Sequence, residues 1–250
     1  MRKNDILPTD LLLALVLLTR LPLPHLPKAA FAHQRRAVWA FPVVGLMVGA
    51  LATGTGALAL VWWPPGVAAG LALLVQILIT GAMHEDGLAD SADGLWGGFD
   101  RARRLEIMKD SHIGTYGVLA LLMMTALRWV LLTALLSAGA IWAPVLLGVL
   151  SRASLPVMMA SLPNARGSGL SQDVGRPRWS VVYVAIAIAL VLSFGAIGPI
   201  AAIVVLSLGP VVLGMRALAR AKIGGQTGDI LGATQQVTEV CAALVLVAII

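Results

Sequence analysis

The chain has 250 residues, of which 59% are hydrophobic and 12% are charged, and its mean hydropathy is +0.91. This composition excludes a soluble globular protein and predicts an integral membrane protein. The net charge of +6 is explained first by membrane topology, and only secondarily by attraction to anionic lipid or substrate phosphates. Long apolar segments without the alternation of an outer-membrane barrel predict an all-α, polytopic transmembrane helical bundle. We expect residues 1–250 to form a single integral membrane domain.

The apolar segments predict about seven spans, because a transmembrane helix needs about 20 apolar residues. The first apolar run, Leu11 to Leu18, is too short and is followed by Leu21-Pro22-Leu23-Pro24. It predicts a short interfacial or re-entrant helix. The predicted spans in chain order are residues 37–62, 66–84, 113–137, 141–160, 180–198, 199–219 and 236–250.

Basic residues give the orientation of the predicted spans. Fourteen of the eighteen Lys and Arg residues fall in the connections 20–36, 85–112, 161–179 and 214–235, whereas the other connections carry no charge. Cytoplasmic connections of membrane proteins are enriched in Lys and Arg. The four polar connections are therefore predicted to lie on the cytoplasmic side.

Acidic residues are concentrated in one of these connections. Seven of the twelve lie in 85–112, and four of them, Glu85, Asp86, Asp90 and Asp93, fall within nine residues. On a helix that continues inward past residue 84, Asp86, Asp90 and Asp93 share one face, and Glu85 points away. Like charges so close repel unless a cation compensates them, and carboxylate oxygens favour Mg²⁺, Mn²⁺ or Ca²⁺.

The bland alternative for this segment is a solvated helix end whose carboxylates pair with Arg101, Arg103 and Arg104. His84 adjoins the carboxylates and is a candidate proton carrier or supporting residue. Its alternative role is that of a polar residue at a helix end.

Three further polar features are candidates for substrate contacts. In the last connection, Gly225, Gln226, Thr227 and Gly228 can turn backbone N–H groups toward an anion, and Asp229 can hold a metal. Lys109, Asp110 and Ser111 precede a span, where a helix start suits a phosphate. The alternatives are an ordinary turn and ordinary helix capping.

Two arginines stand inside apolar segments. Arg152 is a candidate contact for a carboxylate or substrate, while Arg128 is expected nearer the outer half. Buried pairing within the bundle is the alternative for both, because charges at membrane depth need partners.

Together these motifs resemble the cobalamin synthase family, the adenosylcobinamide-GDP ribazoletransferases. The matching elements, in the family's order, are Thr19-Arg20-Leu21-Pro22-Leu23-Pro24, Phe41-Pro42-Val43-Val44-Gly45-Leu46, His84 to Gly94, Glu106-Ile107-Met108-Lys109-Asp110-Ser111 with Gly114-Thr115, and Gly224-Gly225-Gln226-Thr227-Gly228-Asp229 with Leu231-Gly232-Ala233. Each element is modest alone, and together they are specific.

The resemblance implies a multi-pass enzyme of the bacterial inner membrane that acts late in cobalamin biosynthesis. It implies Mg²⁺-dependent joining of adenosylcobinamide-GDP to α-ribazole or its 5′-phosphate, with release of GMP. We expect the active site on the cytoplasmic face. The implied partners are these substrates and the lipid bilayer, with no nucleic acid. A homo-oligomer or an association with other enzymes of the pathway stays open.

In this interpretation Asp86, Asp90 and Asp93 hold Mg²⁺, with Asp229 and Glu85 as further candidate ligands. The predicted catalytic residues are Asp86, Asp90, Asp93, Asp229 and His84. The predicted substrate contacts are Lys109, Asp110, Ser111, Arg152, Gly225, Gln226, Thr227 and Gly228.

Other functions remain as alternatives. A CDP-alcohol phosphotransferase expects Asp-Gly-x-x-Ala-Arg, but Asp90 follows Asp86-Gly87-Leu88-Ala89 here. A prenyltransferase expects two Asp-rich motifs, and the second site has Asp229 alone. An ion-coupled transporter would place its carboxylates near the bilayer midplane on broken helices.

Overall fold

A computed structural model describes residues 8–250, which fold as a bundle of helices. Among these residues there is no β-strand, and one isolated bridge joins Asn164 to Gln226. The α-helices are α1 (Pro8–Leu18), α2 (Gln34–Ala37), α3 (Phe41–Ala59), α4 (Pro65–Thr80), α5 (Met83–Gly97), α6 (Arg101–Ile107), α7 (Thr115–Ser137), α8 (Ala143–Ser161), α9 (Leu170–Val174), α10 (Trp179–Ile197), α11 (Ala201–Ile223) and α12 (Gly228–Ile249). Short 3₁₀ helices cover Lys28–His33, Val38–Ala40 and Gly198–Ile200.

Within residues 8–250, five helical segments are long and apolar enough to cross a membrane, and the bent pair α4 and α5 makes a sixth if it is one span. One segment, Trp179–Ile223, has 45 residues, which as a straight helix would extend roughly 65 Å. Its two ends are instead close together. Arg176 Nε donates to the carbonyl of Ala160 at 2.7 Å, and the backbone N–H of Gln226 donates to that of Pro163 at 2.9 Å. The segment therefore doubles back near Gly198 as two antiparallel spans.

Helix α8 is the central helix of the bundle, since 89% of its most apolar 18-residue stretch is buried, against 22% for α7. It packs on α3 through small residues. A Cβ added to Gly148 would lie 2.6 Å from the carbonyl oxygen of Gly45. Glycine is needed here because only its missing side chain lets two membrane helices approach so closely.

The predicted span 66–84 is wrong at its inner end. Helix α4 stops at Thr80, and α5 leaves it at an angle of 85°. The turn places Gly81 and Ala82 in the left-handed region, with φ of 63° and 56°, which is uncommon for alanine. Because α4 ends there, the carbonyl of Ile79 has no donor in the next helical turn, and it accepts instead from the N–H of Arg20 at 2.7 Å. A broken helix inside a bundle needs such replacement partners.

Helix α5 lies within the bundle and runs alongside α7. The first part of the predicted connection 85–112 is therefore helical. Near the end of α5, Asp93 accepts hydrogen bonds from Gly114 and Gly117 at the start of α7. Near the beginning of α5, Glu85 is bonded to Arg128, far along α7. The two helices therefore run in opposite directions, side by side.

The last span begins earlier than the predicted residue 236. Helix α12 starts at Gly228, where the Thr227 hydroxyl caps it by accepting from the N–H of Ile230 at 3.3 Å. Gln235, which the sequence placed in the last connection, is buried and hydrogen-bonded, as are Gln236 and Glu239 of the predicted span. Asp229 thus stands on the first turn of a helix.

The predicted short N-terminal helix is present, but it packs against other helices of the bundle. Helix α1 has 11 residues, and its Leu13 and Ala14 are fully buried among residues of α2 and α3. Asp10 is paired with Arg36 at 3.0 Å and accepts from Trp39 Nε1 at 3.4 Å. These contacts hold α1 in place, and Arg20, which follows α1, bonds to Ile79 at the break between α4 and α5.

Candidate active site

Two glycines bring the acidic segment and the Gly-rich segment together. Where α5 crosses α12, a Cβ added to Gly87 would lie 2.9 Å from the carbonyl oxygen of Asp229, and one added to Gly232 would lie 3.2 Å from the Cα of Gly87. No larger residue fits at either position without moving a helix. The crossing sets Asp229 beside the α5 face that carries Asp86 and Asp90.

Asp86, Asp90 and Asp229 form what we call the acidic group. The negative charges of Asp86 and Asp229 both act on Asp90, together with a positive charge from Arg166. Asp229 Oδ2 is paired with Arg166 Nη1 at 2.9 Å, whereas neither Asp86 nor Asp90 has an ion-pair partner among residues 8–250. The group therefore has more negative than positive charge.

The donor set of the acidic group suits a hard divalent cation. In the part of the chain that the structure describes, no three acidic or His side chains converge closely enough to surround a metal by themselves. Mg²⁺ does not require this, since it is commonly held by one or two carboxylates and completes its shell with water and substrate phosphates. Unpaired carboxylates that repel one another provide oxygen ligands of that type.

Asp93, the third residue of the predicted metal face, is engaged elsewhere. It is 8% exposed, and its two oxygens accept from the N–H groups of Gly114 and Gly117 at 2.7 and 2.9 Å. A carboxylate at a helix N-terminus satisfies N–H groups that have no partner within the helix. The structure thus places Asp93 as the anchor between α5 and the start of α7.

Glu85 faces away from Asp86 and Asp90, as helical geometry predicts. Its Oε1 accepts from Arg128 Nη1 at 2.7 Å and from Gln236 Nε2 at 3.0 Å. Arg128 also pairs with Glu239 at 2.9 Å and donates to Gln76 at 2.9 Å. We call these five side chains the Arg128 cluster. The predicted buried pairing of Arg128 is confirmed, and it joins four helices.

Arg152 and His84 are also buried, at 3% exposure each. Arg152 Nη1 donates to the carbonyl of Gly148 at 3.3 Å, and its charge interacts with Glu239 and Glu85. Within the part of the chain that the structure describes, His84 Nε2 has no hydrogen-bond partner. His84 lines a cavity beside the acidic group, and the charge of Arg152 acts on His84 as well as on the Arg128 cluster.

The cavity has a volume of about 210 Å³ and includes Asp86 and Asp229 in its wall. Phe41 of α3 and Leu155 and Met159 of α8 form part of its apolar lining.

The predicted Gly-rich segment is ordered by backbone pairing. Gln226 exchanges backbone hydrogen bonds with Pro163 and Ala165, and its Oε1 accepts from Ser171 at 2.8 Å. A Cβ on Gly225 would collide with the backbone at Pro163, whereas Gly228 has open space around it. The Thr227 hydroxyl bonds to Asp229 at 3.2 Å. These residues hold the start of α12 and the Asp229 carboxylate in position.

The structure keeps the predicted phosphate contacts at 109–111 on the surface. The side chains of Lys109, Asp110 and Ser111 are exposed. Asp110 is bonded to His112 at 2.7 Å, and this hydrogen bond raises the pKa of His112 and lowers the pKa of Asp110. Any contact of this segment with substrate stays a prediction.

Some residues that shape the site were missed from the sequence. Arg166 was counted only as a topological charge, although it pairs with Asp229. Glu239, Gln76 and Gln236 belong to the Arg128 cluster, and polar residues inside apolar spans were the available signal for them.

Comparison with known proteins identifies a family. The family model described as cobalamin-5-phosphate synthase matches residues 10–247. An adenosylcobinamide-GDP ribazoletransferase of Bradyrhizobium diazoefficiens is 43% identical over 94% of this chain and 92% of its own length, and one of Mesorhizobium japonicum is 41% identical over the same shares. One of Brucella ovis is 38% identical over 99% of both chains.

No solved structure matches the chain. The family match runs from within α1 to within α12 and includes both segments that meet at the Gly87–Gly232 crossing. The chain belongs to the cobalamin-5-phosphate synthase family.

Proposed function

We propose that this chain is an adenosylcobinamide-GDP ribazoletransferase, which joins adenosylcobinamide-GDP to α-ribazole or its 5′-phosphate. The products are adenosylcobalamin or its 5′-phosphate, and GMP. The proposal is supported by family membership over nearly the whole chain. The structural observation that carries it is the crossing at Gly87 and Gly232, which sets two unpaired carboxylates beside a third.

The reaction breaks the phosphoanhydride bond of adenosylcobinamide-GDP and forms a phosphodiester bond to the ribazole. The 3′-hydroxyl of the ribazole attacks the phosphorus that bears the corrinoid side chain, and the bond from this phosphorus to the GMP oxygen breaks. The hydroxyl proton passes to a carboxylate of the acidic group, and GMP leaves with the bonding electrons. Such transfers depend chiefly on positioning and on stabilisation of negative charge.

We propose Asp86, Asp90 and Asp229 as the residues that would hold Mg²⁺. When bound there, Mg²⁺ supplies positive charge to the phosphate oxygens. Arg166 neutralises one carboxylate and fixes its orientation, and Thr227 holds the same side chain from the other side. Asp93 is proposed to position α5 on α7 rather than to contact the metal.

We further propose that the acidic group faces the cytoplasm from the bacterial inner membrane. The basic residues of the polar connections support this orientation by the positive-inside rule. Both Asp229 and the end of α5 lie toward these connections.

The test uses full-length protein in lipid vesicles with adenosylcobinamide-GDP, α-ribazole and Mg²⁺. We expect equimolar GMP and corrinoid product, and we expect Asp90→Asn to abolish both. The matched control is Asp173→Asn, because Asp173 is an exposed residue of α9 without an ion pair in the described chain. Formation of neither product by the wild type would refute the function. Full activity of Asp90→Asn would refute the role of the acidic group.

A further inference from the structure

The cavity beside the acidic group is lined by residues of six helices and is largely apolar. Leu17 and Leu18 end α1, Phe41 begins α3, and Leu155 and Met159 come from α8. The polar side chains of its lining are His84, Asp86, Ser171 and Asp229. Ser171 is already bonded to Asn164 at 2.6 Å and to Gln226 at 2.8 Å. One wall is therefore charged and the rest is suited to a hydrophobic group.

His84 marks this space as a binding site. Its Nε2 is buried and has no hydrogen-bond partner among residues 8–250, and His84 is one of the residues that line the cavity. A buried polar nitrogen that lacks a partner costs free energy, so such groups are normally satisfied by a ligand or a water. A ligand that fills the cavity can offer this partner.

We propose that the cavity binds the aromatic base of the nucleoside acceptor, which in α-ribazole is a dimethylbenzimidazole. This inference rests on the proposed function and assigns one part of one substrate to a place in the structure. The base lies among Phe41, Leu155 and Met159, and His84 Nε2 contacts its polar edge. The ribose then lies at the wall formed by Asp86 and Asp229, where its hydroxyl reacts.

Size argues against the corrin as the occupant of the cavity, and polarity argues against guanine. An apolar cavity of about 150 Å³ holds benzene, so 210 Å³ suits a bicyclic ring and is far too small for a corrin. Guanine carries several donors and acceptors on its edges, and an apolar wall would leave them without partners. A methylated benzimidazole has an apolar rim and few polar atoms.

The test changes the space in the cavity and measures which bases are accepted. Leu155→Phe fills the cavity, and Leu150→Phe is the matched control on the same helix, because Leu150 is equally buried in a separate apolar cluster. We expect Leu155→Phe to lower kcat/KM for α-ribazole about tenfold relative to the riboside of unsubstituted benzimidazole. We expect the KM of Leu155→Phe for adenosylcobinamide-GDP to stay as in the wild type. We also expect Leu150→Phe to keep the base preference of the wild type.

A second variant keeps the test decisive if Leu155→Phe does not fold. Leu155→Ala enlarges the cavity and is expected to accept the riboside of a tricyclic base that the wild type rejects. An unchanged base preference in the folded variants would overturn the proposal, and it would indicate an acyl chain or no ligand in the cavity.

Failure of the proposed function has a different signature. In that case the wild type releases no GMP with any riboside. Binding of free 5,6-dimethylbenzimidazole, followed by saturation-transfer NMR, still tests the cavity. We expect binding to the wild type and to Leu150→Phe, and weaker binding to Leu155→Phe. Equal binding to all three proteins would overturn the subsite.

Discussion

Arg128 Nη1 lies 2.7 Å from Glu85 Oε1 in the interior of the bundle. Glu85 directly precedes Asp86, so the ion pair ties the helix of the acidic group to a helix that spans the membrane. Glu239 binds the same guanidinium from α12. A single arginine thereby holds the two helices whose crossing forms the site.

Loss of Arg128 is expected to destabilise the protein strongly. Arg128→Leu leaves two carboxylates buried without their cation, a change that costs about 3–5 kcal/mol for buried pairs. Chemical unfolding in detergent measures the change. The control is Arg103→Leu, which removes an exposed pair with Glu106 and should leave unfolding unchanged. Equal stability of the two variants would mean that the cluster does not hold the bundle.

The close crossing of α5 and α12 should be essential for activity. Gly87→Ala adds a Cβ within 3.2 Å of Asp229 and Gly232 atoms, so the helices must separate. A displacement of about 1 Å at a reacting centre can lower the rate about 100-fold. GMP release by folded protein measures this effect. Gly54→Ala is the control, because nothing lies within 4 Å of its added Cβ. Normal turnover by Gly87→Ala would contradict the assigned site.

Asp93 is predicted to act through the start of α7. Asp93→Asn keeps one accepting oxygen and loses the charge, so one N–H of the pair at Gly114 and Gly117 loses its acceptor. We expect a loss of about 1–3 kcal/mol in the free energy of unfolding and a lower kcat. The apparent affinity for Mg²⁺ should not change. A selective loss of Mg²⁺ affinity would instead return Asp93 to the metal ligands.

The pair of His112 and Asp110 should titrate as a unit outside the membrane. Asp110 raises the pKa of His112, so the protonated pair is complete below the ordinary His pKa of about 6.5 and is lost as the pH rises through the raised value. Asp110→Asn should lower the pKa of His112, as NMR titration of labelled histidine can measure. His25, an exposed histidine, serves as the internal reference. An unchanged pKa of His112 would rule out the contact.

The sequence allowed prediction of the broad architecture and of which segments meet. Hydropathy predicted an all-helical membrane bundle, and charge placed Asp86 and Asp229 on the same side. Helical geometry separated Glu85 from Asp86 and Asp90, which the structure confirms. These inferences rest on local pattern and on the properties of the bilayer.

Other features depend on contacts that local pattern does not encode. The break at Ala82 requires a left-handed alanine, which no residue preference signals. Arg128 finds its partners 43 and 111 positions away in the chain. The early start of α12 was hidden because Gln235 and Gln236 are polar, and they are tolerated only through bonds to distant helices.

The charge balance of four buried side chains has a consequence for assembly. Arg128 and Arg152 carry two positive charges, and Glu85 and Glu239 carry two negative charges. Glu239 lies on α12, which leaves the ribosome after all the other helices described. Without α12, the remaining three of these side chains would carry one more positive than negative charge. The same helix therefore supplies both the balancing carboxylate, Glu239, and Asp229 of the acidic group.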